Sequence, residues 1–443
     1  MEIILITIFS LGYLAITLEH SLKIDKLIPA LAMMSILWAL IAVFQLPVFN
    51  VDTILKELKP SNVEEVLLHH LGKTSEIIIF LLGAMTIVEI IDYFNGFATI
   101  KRIIKTKSKK GLLIIFSFLA FILSAIIDNL TATIILITIL QKVIKERNTR
   151  IWFAGMIVIA ANAGGAWSPI GDVTTTMLWI GNKVTTLKLI IYLLIPSLVC
   201  MAVPLLLATT LPAFKGNIPD ELANENGDTH KYGASMLYIG LSAIILVPVF
   251  KTLTHLPPYL GMMLSLAVVA TFAEYFSSAK FGFTSIDIEH EEYSSHSPVH
   301  SSLSKIELPS ILFFLGILLA VAALESLGIL FEFADSLNLA IPNSDILVML
   351  LGIGSAIIDN VPLVAASLGM FSEVIDHPLW HFIAFSAGTG GSMLIIGSAA
   401  GVVAMGLEKI EFFWYLKKIS WLALVGFIAG SLTFILMRDF ILW

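Results

Sequence analysis

Three aspartates sit inside long apolar runs: Asp128, Asp172 and Asp359. An acid near the centre of a bilayer costs at least about 3 kcal/mol, so such residues are functional by default. Asp128-Asn129 and Asp359-Asn360 each interrupt an apolar block, while Asp172 closes the string Asn162-Ala163-Gly164-Gly165-Ala166-Trp167-Ser168-Pro169-Ile170-Gly171-Asp172, ahead of Val173-Thr174-Thr175-Thr176. The glycines and the proline unwind a helix there, and irregular backbone at membrane depth survives only where it is buried in protein or lines a polar cavity. Its carbonyls are then free to act as ligands, and Asp172 falls where an N-cap restarts the helix. A second such segment, Gly388-Thr389-Gly390-Gly391-Ser392 with Gly397-Ser398, supplies hydroxyls and no acid.

Acids, amides, hydroxyls and loose carbonyls without a base make an oxygen cage for a small hard cation and repel an anion. The spacing nominates Asp128, Asn129, Asp172, Asp359 and Asn360 as ligands of such a cation, with Asn162, Thr174, Thr175, Ser392 and Ser398 around them. Desolvation and mutual repulsion also favour protonating the same carboxylates. Proton and cation then compete for one set of oxygens, which is a minimal exchange mechanism. The competing reading is that the acids only cap half-helices and that the amides and hydroxyls only satisfy backbone. Glu89, Asp92 and Glu325 lie toward helix ends, where a solvated role competes with a place on a proton pathway.

The elements that must position these residues are membrane helices. Of 443 residues, 58% are hydrophobic and 13% charged, whereas a soluble domain has about a quarter charged. That excludes a soluble enzyme, a nucleic-acid binder and a disordered scaffold, and the net charge of −7 argues against a polyanionic partner. The lone cysteine, Cys200, reads as a small helix residue. Twelve apolar blocks follow one another, from 3–19, a permanent helix without a cleavage site, to 419–437. The blocks 111–143 and 343–375 are too long for one crossing of about 20 residues and too short for two. Each is read as a re-entrant hairpin with the polar pair at its tip. The following blocks, 151–181 and 379–407, are broken helices, and across these four blocks Lys142 is the only Lys or Arg.

The first hairpin is flanked by Lys101, Arg102, Lys105, Lys107, Lys109 and Lys110 before it and by Lys142, Lys145, Arg147 and Arg150 after it; the second lies in a stretch with no Lys or Arg from 306 to 408. By the positive-inside rule both ends of the first are cytoplasmic and both ends of the second external. Each half then has five crossings, about ten in all, and the odd number inverts the second half, leaving both termini outside. The halves are also copies: Ser124-Ala125-Ile126-Ile127-Asp128-Asn129 recurs letter for letter as Ser355-Ala356-Ile357-Ile358-Asp359-Asn360, and Gly164-Gly165 and Gly171 answer to Gly390-Gly391 and Gly397. An inverted repeat with discontinuous helices is the ground plan of secondary transporters, with the site near the midplane. The expected fold is thus an all-α polytopic membrane protein: a first repeat over 1–211, a cytoplasmic linker over 212–233 and a second repeat over 234–443 with a cytoplasmic loop at 277–308.

The paired Ser-Ala-Ile-Ile-Asp-Asn motif and the Asn162 to Thr176 segment resemble the NhaD-type sodium/proton antiporters of the ion transporter superfamily, and the likeness runs over nearly the whole chain. The resemblance implies exchange of Na⁺ or Li⁺ for H⁺ across a bacterial inner membrane, with no cofactor. It further implies a homodimer in the lipid bilayer, each protomer having a scaffold domain and a transport domain that moves elevator-fashion. Carried over by motif, the functional residues are Asp128, Asn129, Asn162, Asp172, Thr174, Thr175, Asp359, Asn360, Ser392 and Ser398. The wider superfamily also holds dicarboxylate and citrate carriers, whose hairpin tips look like Ser-Asn-Thr; here Asp replaces the hydroxyl in both copies. A sodium-coupled anion symporter is the nearest rival. A remote one is an intramembrane aspartyl protease, which also needs two aspartates at membrane depth, but its Tyr-Asp and Gly-x-Gly-Asp signatures are absent from the positions of Asp128, Asp172 and Asp359. Two histidine groups remain. His290, His296 and His300 beside Glu289, Glu291 and Glu292 read as a solvated loop or a pH sensor, and His69 and His70 fall in an amphipathic stretch, 51–72, read as an interfacial helix.

Overall fold

A computed structural model of the chain describes residues 1–17, 22–52, 57–101, 106–218, 230–278, 297–306, 308–357 and 360–442. The apolar blocks become helices close to the expected places. In the first half these are α1 (Glu2–Thr17), α2 (Leu27–Val43), α3 (Val63–Tyr93), the single turn α4 (Ala98–Lys101), α5 (Lys109–Ile127), α6 (Asn129–Val143), α7 (Arg147–Gly165), α8 (Val173–Ile180) and α9 (Thr186–Thr210). In the second half they are α10 (Gly233–Thr254), α11 (Pro258–Ser278), α12 (Pro298–Leu303), α13 (Leu308–Ser326), α14 (Ile329–Ala340), α15 (Ser344–Ser355), α16 (Asn360–Met370), α17 (Pro378–Gly390), α18 (Ala399–Glu408), α19 (Phe412–Lys418) and α20 (Ser420–Met437). Among the described residues, seven helices (α3, α5, α9, α10, α11, α13 and α20) are long and apolar enough to cross a membrane. The chain is a multi-pass membrane protein. In α9, for example, Leu189, Leu193, Cys200 and Met201 are buried while Leu187, Ile191, Leu194 and Leu198 are exposed. A helix apolar on every side suits protein on one face and lipid on the other.

Both long blocks that were expected to turn back do break at the polar pair. Asp128 alone separates α5 from α6, with φ 94°, a region that L-residues rarely enter. Its side chain supplies the compensation, accepting the Thr131 N–H and hydroxyl, each at 2.8 Å. The second block breaks between Ser355 and Asn360; Asp359 itself lies outside the described residues. The following blocks break at Ala166–Asp172 and Gly391–Ser398, and each restart is capped by its own side chain, Asp172 Oδ1 accepting Thr174 N–H at 3.3 Å and Ser398 Oγ accepting Gly401 N–H at 3.3 Å.

The same contacts brace each helix pair to the broken helix after it. Ser124 Oγ donates to the Ala161 carbonyl at 2.6 Å and Ser355 Oγ to the Ala387 carbonyl at 2.8 Å. A Cβ at Gly164 would strike the Phe121 carbonyl, and one at Gly390 the Gly352 carbonyl. Glycine at these two positions is a close approach of backbones, which only a residue without a side chain permits.

The described residues form two compact units, each drawn from both halves of the sequence. One comprises Met1–Ile77, Thr106–Ile218 and Pro309–Trp443, and contains all the helix breaks described above; the other comprises Ile78–Lys105 and Pro219–Leu308. In the second, α10 and α11 pack together, Ser265 Oγ donating to the Ala243 carbonyl at 2.8 Å.

Some elements differ from expectation. The stretch 51–72 is not an interfacial helix: Val48–Asp52 (β1) pairs antiparallel with Glu57–Ser61 (β2), and 63–72 is the opening of α3, which runs on for 31 residues. Asn62 starts that helix, its Oδ1 accepting Glu65 N–H at 2.8 Å while its Nδ2 donates to Glu65 Oε2 at 3.3 Å, a relative of the capping box. The block 309–333 is split at Gly328, whose φ is 75°. In the loop 277–308, His290, His296, Glu289, Glu291 and Glu292 lie outside the described residues, while Ser297 accepts His300 N–H at 3.3 Å to start α12. Residues 219–229 of the linker are likewise outside them.

Candidate functional site

The breaks of α5/α6, α7/α8, α15/α16 and α17/α18 each deliver a polar side chain to one buried network. Asp172 is 2% exposed, Asn129 5%, Asn162 0%, Asn360 3% and Ser398 1%. Asp172 Oδ2 accepts from Asn129 Nδ2 at 3.3 Å and from Asn360 Nδ2 at 3.1 Å. Asn129 Nδ2 also reaches Asn162 Oδ1 at 3.1 Å, and Asn162 Nδ2 donates to Ser398 Oγ at 3.0 Å and to the Val158 carbonyl at 3.0 Å. Five of the ten residues nominated by the sequence therefore touch in one chain of hydrogen bonds, two of them from the second half of the molecule. The motif copies meet here: Asn129 and Asn360 hold the same carboxylate oxygen.

The side chains joined in this network carry one carboxylate and no base. A buried charge must be paired or hydrogen-bonded, and two carboxamide donors do this without cancelling the charge. Beside it, Thr174 Oγ1 is buried with no hydrogen-bond partner, an omission that costs about 1–3 kcal/mol in a structural role. Thr175 Oγ1 is satisfied by the Asp172 carbonyl at 2.9 Å. Among the described residues no group of three or more His, Cys, Asp or Glu gathers, so what converges is one acid with amides and hydroxyls.

The remaining candidates are placed otherwise. Asp128 caps α6 as described. Ser392 Oγ donates to the Thr389 carbonyl at 2.7 Å, and its own carbonyl accepts the Tyr415 hydroxyl at 2.8 Å, which fixes the α17/α18 break. Glu89 is half-buried and Asp92 exposed in the second unit. Glu325 lines a cleft of about 690 Å³ with His69, His70, Lys73, Glu76 and Lys183, and none of the network side chains lines it.

Sequence reasoning missed two polar clusters of the first unit. Arg150 Nε lies 3.0 Å from both carboxylate oxygens of the buried Glu408, tying the start of α7 to the end of α18. Asp376, ahead of α17, holds Thr185, ahead of α9. The available signal was a charge just outside a broken-helix block.

Comparison with known proteins follows the same lines. The family model described as citrate transporter matches residues 13–380. Sodium/proton antiporter 1 of Arabidopsis thaliana is 41% identical over 99% of this chain and 73% of its own. The Na⁺/H⁺ antiporter NhaD of Alkalimonas amylolytica is 32% identical over 96% of this chain and 88% of its own, and that of Vibrio cholerae 30% over 97% and 91%. Among solved structures, the YdaH transporter of Alcanivorax borkumensis matches with a TM-score of 0.54 and 13% identity, covering 94% of this chain and 97% of that one, a likeness of fold. The relatives are transporters rather than enzymes, and on near full-length identity to them the chain belongs to the NhaD-type sodium/proton antiporters within the citrate transporter family.

Proposed function

We propose that this protein exchanges Na⁺ or Li⁺ for H⁺, the two ions competing for buried aspartates among which Asp172 is central. The observation that carries the reading is the shared hold of Asn129 and Asn360 on Asp172 Oδ2, beside the unpartnered Thr174 hydroxyl. Turning each carboxamide by a half-rotation replaces its NH₂ with an oxygen, so the two side chains that stabilise a bare carboxylate are equally able to join it around a small cation. Asp128 and Asp359, one residue before those amides, are the further acids of the site, and Asn162, Thr174, Thr175, Ser392 and Ser398 complete it. Glu89, Asp92 and Glu325 are proposed for the proton route. The reaction is transport, so the Na⁺ is cargo and no cofactor takes part.

The paired braces at Ser124 and Ser355, and at Gly164 and Gly390, support a repeat; its inversion, with two re-entrant hairpins, about ten crossings and both termini external, rests on the charges that flank the blocks. An elevator-type motion of a transport domain against a scaffold, in a homodimer in the cytoplasmic membrane, completes the reading. The relatives named as sodium/proton antiporters support exchange of these ions. The family model's description favours a second reading, a sodium-coupled citrate or dicarboxylate symporter. An anion needs a positive or donor-rich site, and the network offers a carboxylate in its place. Replacing Asp128, Asp172 and Asp359 singly by Asn and following cation-driven pH change in vesicles tests the proposal: each is expected to lose exchange, and full exchange in all three would overturn it. Sodium-driven uptake of labelled citrate would favour the rival.

A further inference from the structure

His381, on the first turn of α17, is fully buried, and neither ring nitrogen makes a hydrogen bond of good geometry. A leucine or phenylalanine would pack there without leaving polar atoms unsatisfied. What faces the ring is Asp376: His381 Nε2 lies 3.4 Å from Asp376 Oδ1, long for a hydrogen bond and well within reach of an ion pair. Asp376 is 6% exposed and has a φ of 61°. Its carboxylate accepts Thr185 N–H at 2.7 Å and Thr185 Oγ1–H at 3.0 Å, and its own N–H donates to the Lys183 carbonyl at 2.8 Å. The Lys183 ammonium lies 4.6 Å from the centre of the Trp380 ring. Asp376 therefore clamps the segment that follows α8, the half-helix capped by Asp172.

The other groups facing His381 are few. From α9 come Lys188, half-exposed with Nζ 3.8 Å from Asp376 Oδ2, and Tyr192, whose ring meets the imidazole edge-on at 4.8 Å. From the loop come Glu373, whose carbonyl accepts Trp380 Nε1 at 3.0 Å, and His377, whose Nδ1 accepts Leu379 N–H at 3.3 Å. Asp345 of α15 and Arg438, just past α20, are paired with each other at 2.5 Å. The packed helices α8 and α16 contain no ionisable residue, and the arginines of α7, Arg147 and Arg150, are engaged by Glu408 and Lys409.

We propose that His381 is a proton-binding site separate from the ion site, and that its protonation ties the Asp376–Thr185 contact to α17 and so slows exchange on the acid side. The proposal rests on the antiport reading for its effect on transport. An imidazolium opposite a carboxylate turns a long polar contact into a charge-assisted hydrogen bond, and burial and a facing carboxylate, which act in opposite directions on an imidazole, set where it takes its proton. Asp376 is prepared to receive it. Burial pushes its carboxyl up, but the facing His381 ring and the hydrogen bonds from the Thr185 N–H and hydroxyl outweigh burial and hold it below the usual carboxylate range. In the register that pairs Gly164 with Gly390, Arg150 falls on Asp376. The brace at Arg150 uses a cation that keeps its proton at every working pH, so of these two braces the one at Asp376 responds to pH.

The test uses the purified full chain in liposomes at saturating Na⁺, with exchange followed across about pH 5.5 to 9 for the parent, His381→Gln and Lys188→Gln. His381→Gln removes the proton site and is expected to raise the rate at the acid end about threefold or more, with the alkaline end unchanged. Lys188→Gln removes a neighbouring cation, favours protonation, and is expected to move the acid limb up by about half a pH unit. Profiles of both variants that overlay the parent overturn the proposal. Should His381→Gln fail to fold, histidine NMR of the parent and of Lys188→Gln decides: a buried imidazole titrating between about pH 5 and 8, moved upward by Lys188→Gln, supports the site, and one that does not titrate dismisses it. That readout needs no transport, so a chain that exchanges no cation would refute the antiport reading while leaving the proton site to be judged by NMR.

Discussion

Asp172 is held by amides where a lysine or arginine would have neutralised it. Two neutral donors lower the cost of burying the carboxylate without supplying an opposite charge, and the nearby Thr174 hydroxyl has no protein partner to give up. At this scale the account makes two predictions. Asp172→Asn keeps the shape and loses the charge; it is expected to fold and to exchange at least about 100-fold more slowly, an effect of about 2.7 kcal/mol. Thr174→Val removes a hydroxyl that is buried without a partner, so thermal stability is expected to hold or rise, while the apparent KM for Na⁺ rises severalfold; a drop in stability with unchanged KM would assign the hydroxyl a structural role. Asp172, Asn129, Asn162, Asn360 and Ser398 were legible in the sequence because a polar side chain within an apolar run is a local signal. Their mutual contacts were not, since nothing in the spacing says that Asn129 and Asn360 meet on one oxygen.

The helices break where the chain crowds backbone against backbone. Gly164→Ala and Gly390→Ala would each drive a methyl into a rigid carbonyl, and lowered melting temperatures are expected for both. Gly406→Ala, with open space at its Cβ and better helix propensity, is expected to be neutral or mildly stabilising; equal losses at all three sites would contradict the close-approach argument. The loop at Asp376 carries a pH prediction. Its folded carboxyl titrates below its unfolded value near 3.9, so the stabilisation it provides is full above that value and is lost as pH falls through the lower folded value. Melting temperatures of the parent and Asp376→Asn should therefore differ from pH 7 down to about pH 4 and converge only below it. The helix breaks could be read from the sequence because Gly, Pro and Asp punctuate an apolar run unmistakably. The β1/β2 hairpin could not, because 51–72 has the polarity of an interfacial helix, and only the Asn62 cap and Pro60 mark where α3 begins.

At the scale of the whole molecule, a chain with 13% charged residues keeps most of its described helices apolar and concentrates a few polar groups at four breaks, in one compact unit drawn from both halves. The composition and the repeated motif were enough to expect this grouping of breaks; which helices form a unit depends on packing between residues far apart in sequence, such as Trp38 Nε1 on the Leu319 carbonyl at 2.8 Å, and no local pattern encodes that. Buried ion pairs between distant segments matter in the same way. Removing one partner of the Arg150–Glu408 pair, as in Glu408→Gln, is expected to cost about 3 kcal/mol, seen as a lower melting temperature. The central claim is tested most directly by cation-driven pH change in everted membrane vesicles carrying the parent or Asp172→Asn, with Na⁺, Li⁺ and K⁺ added in turn. The account predicts alkalinisation of the parent vesicles by Na⁺ or Li⁺ and none from Asp172→Asn at equal protein level. A parent that responds to none of the three cations, or an Asp172→Asn protein that responds as the parent does, would contradict it.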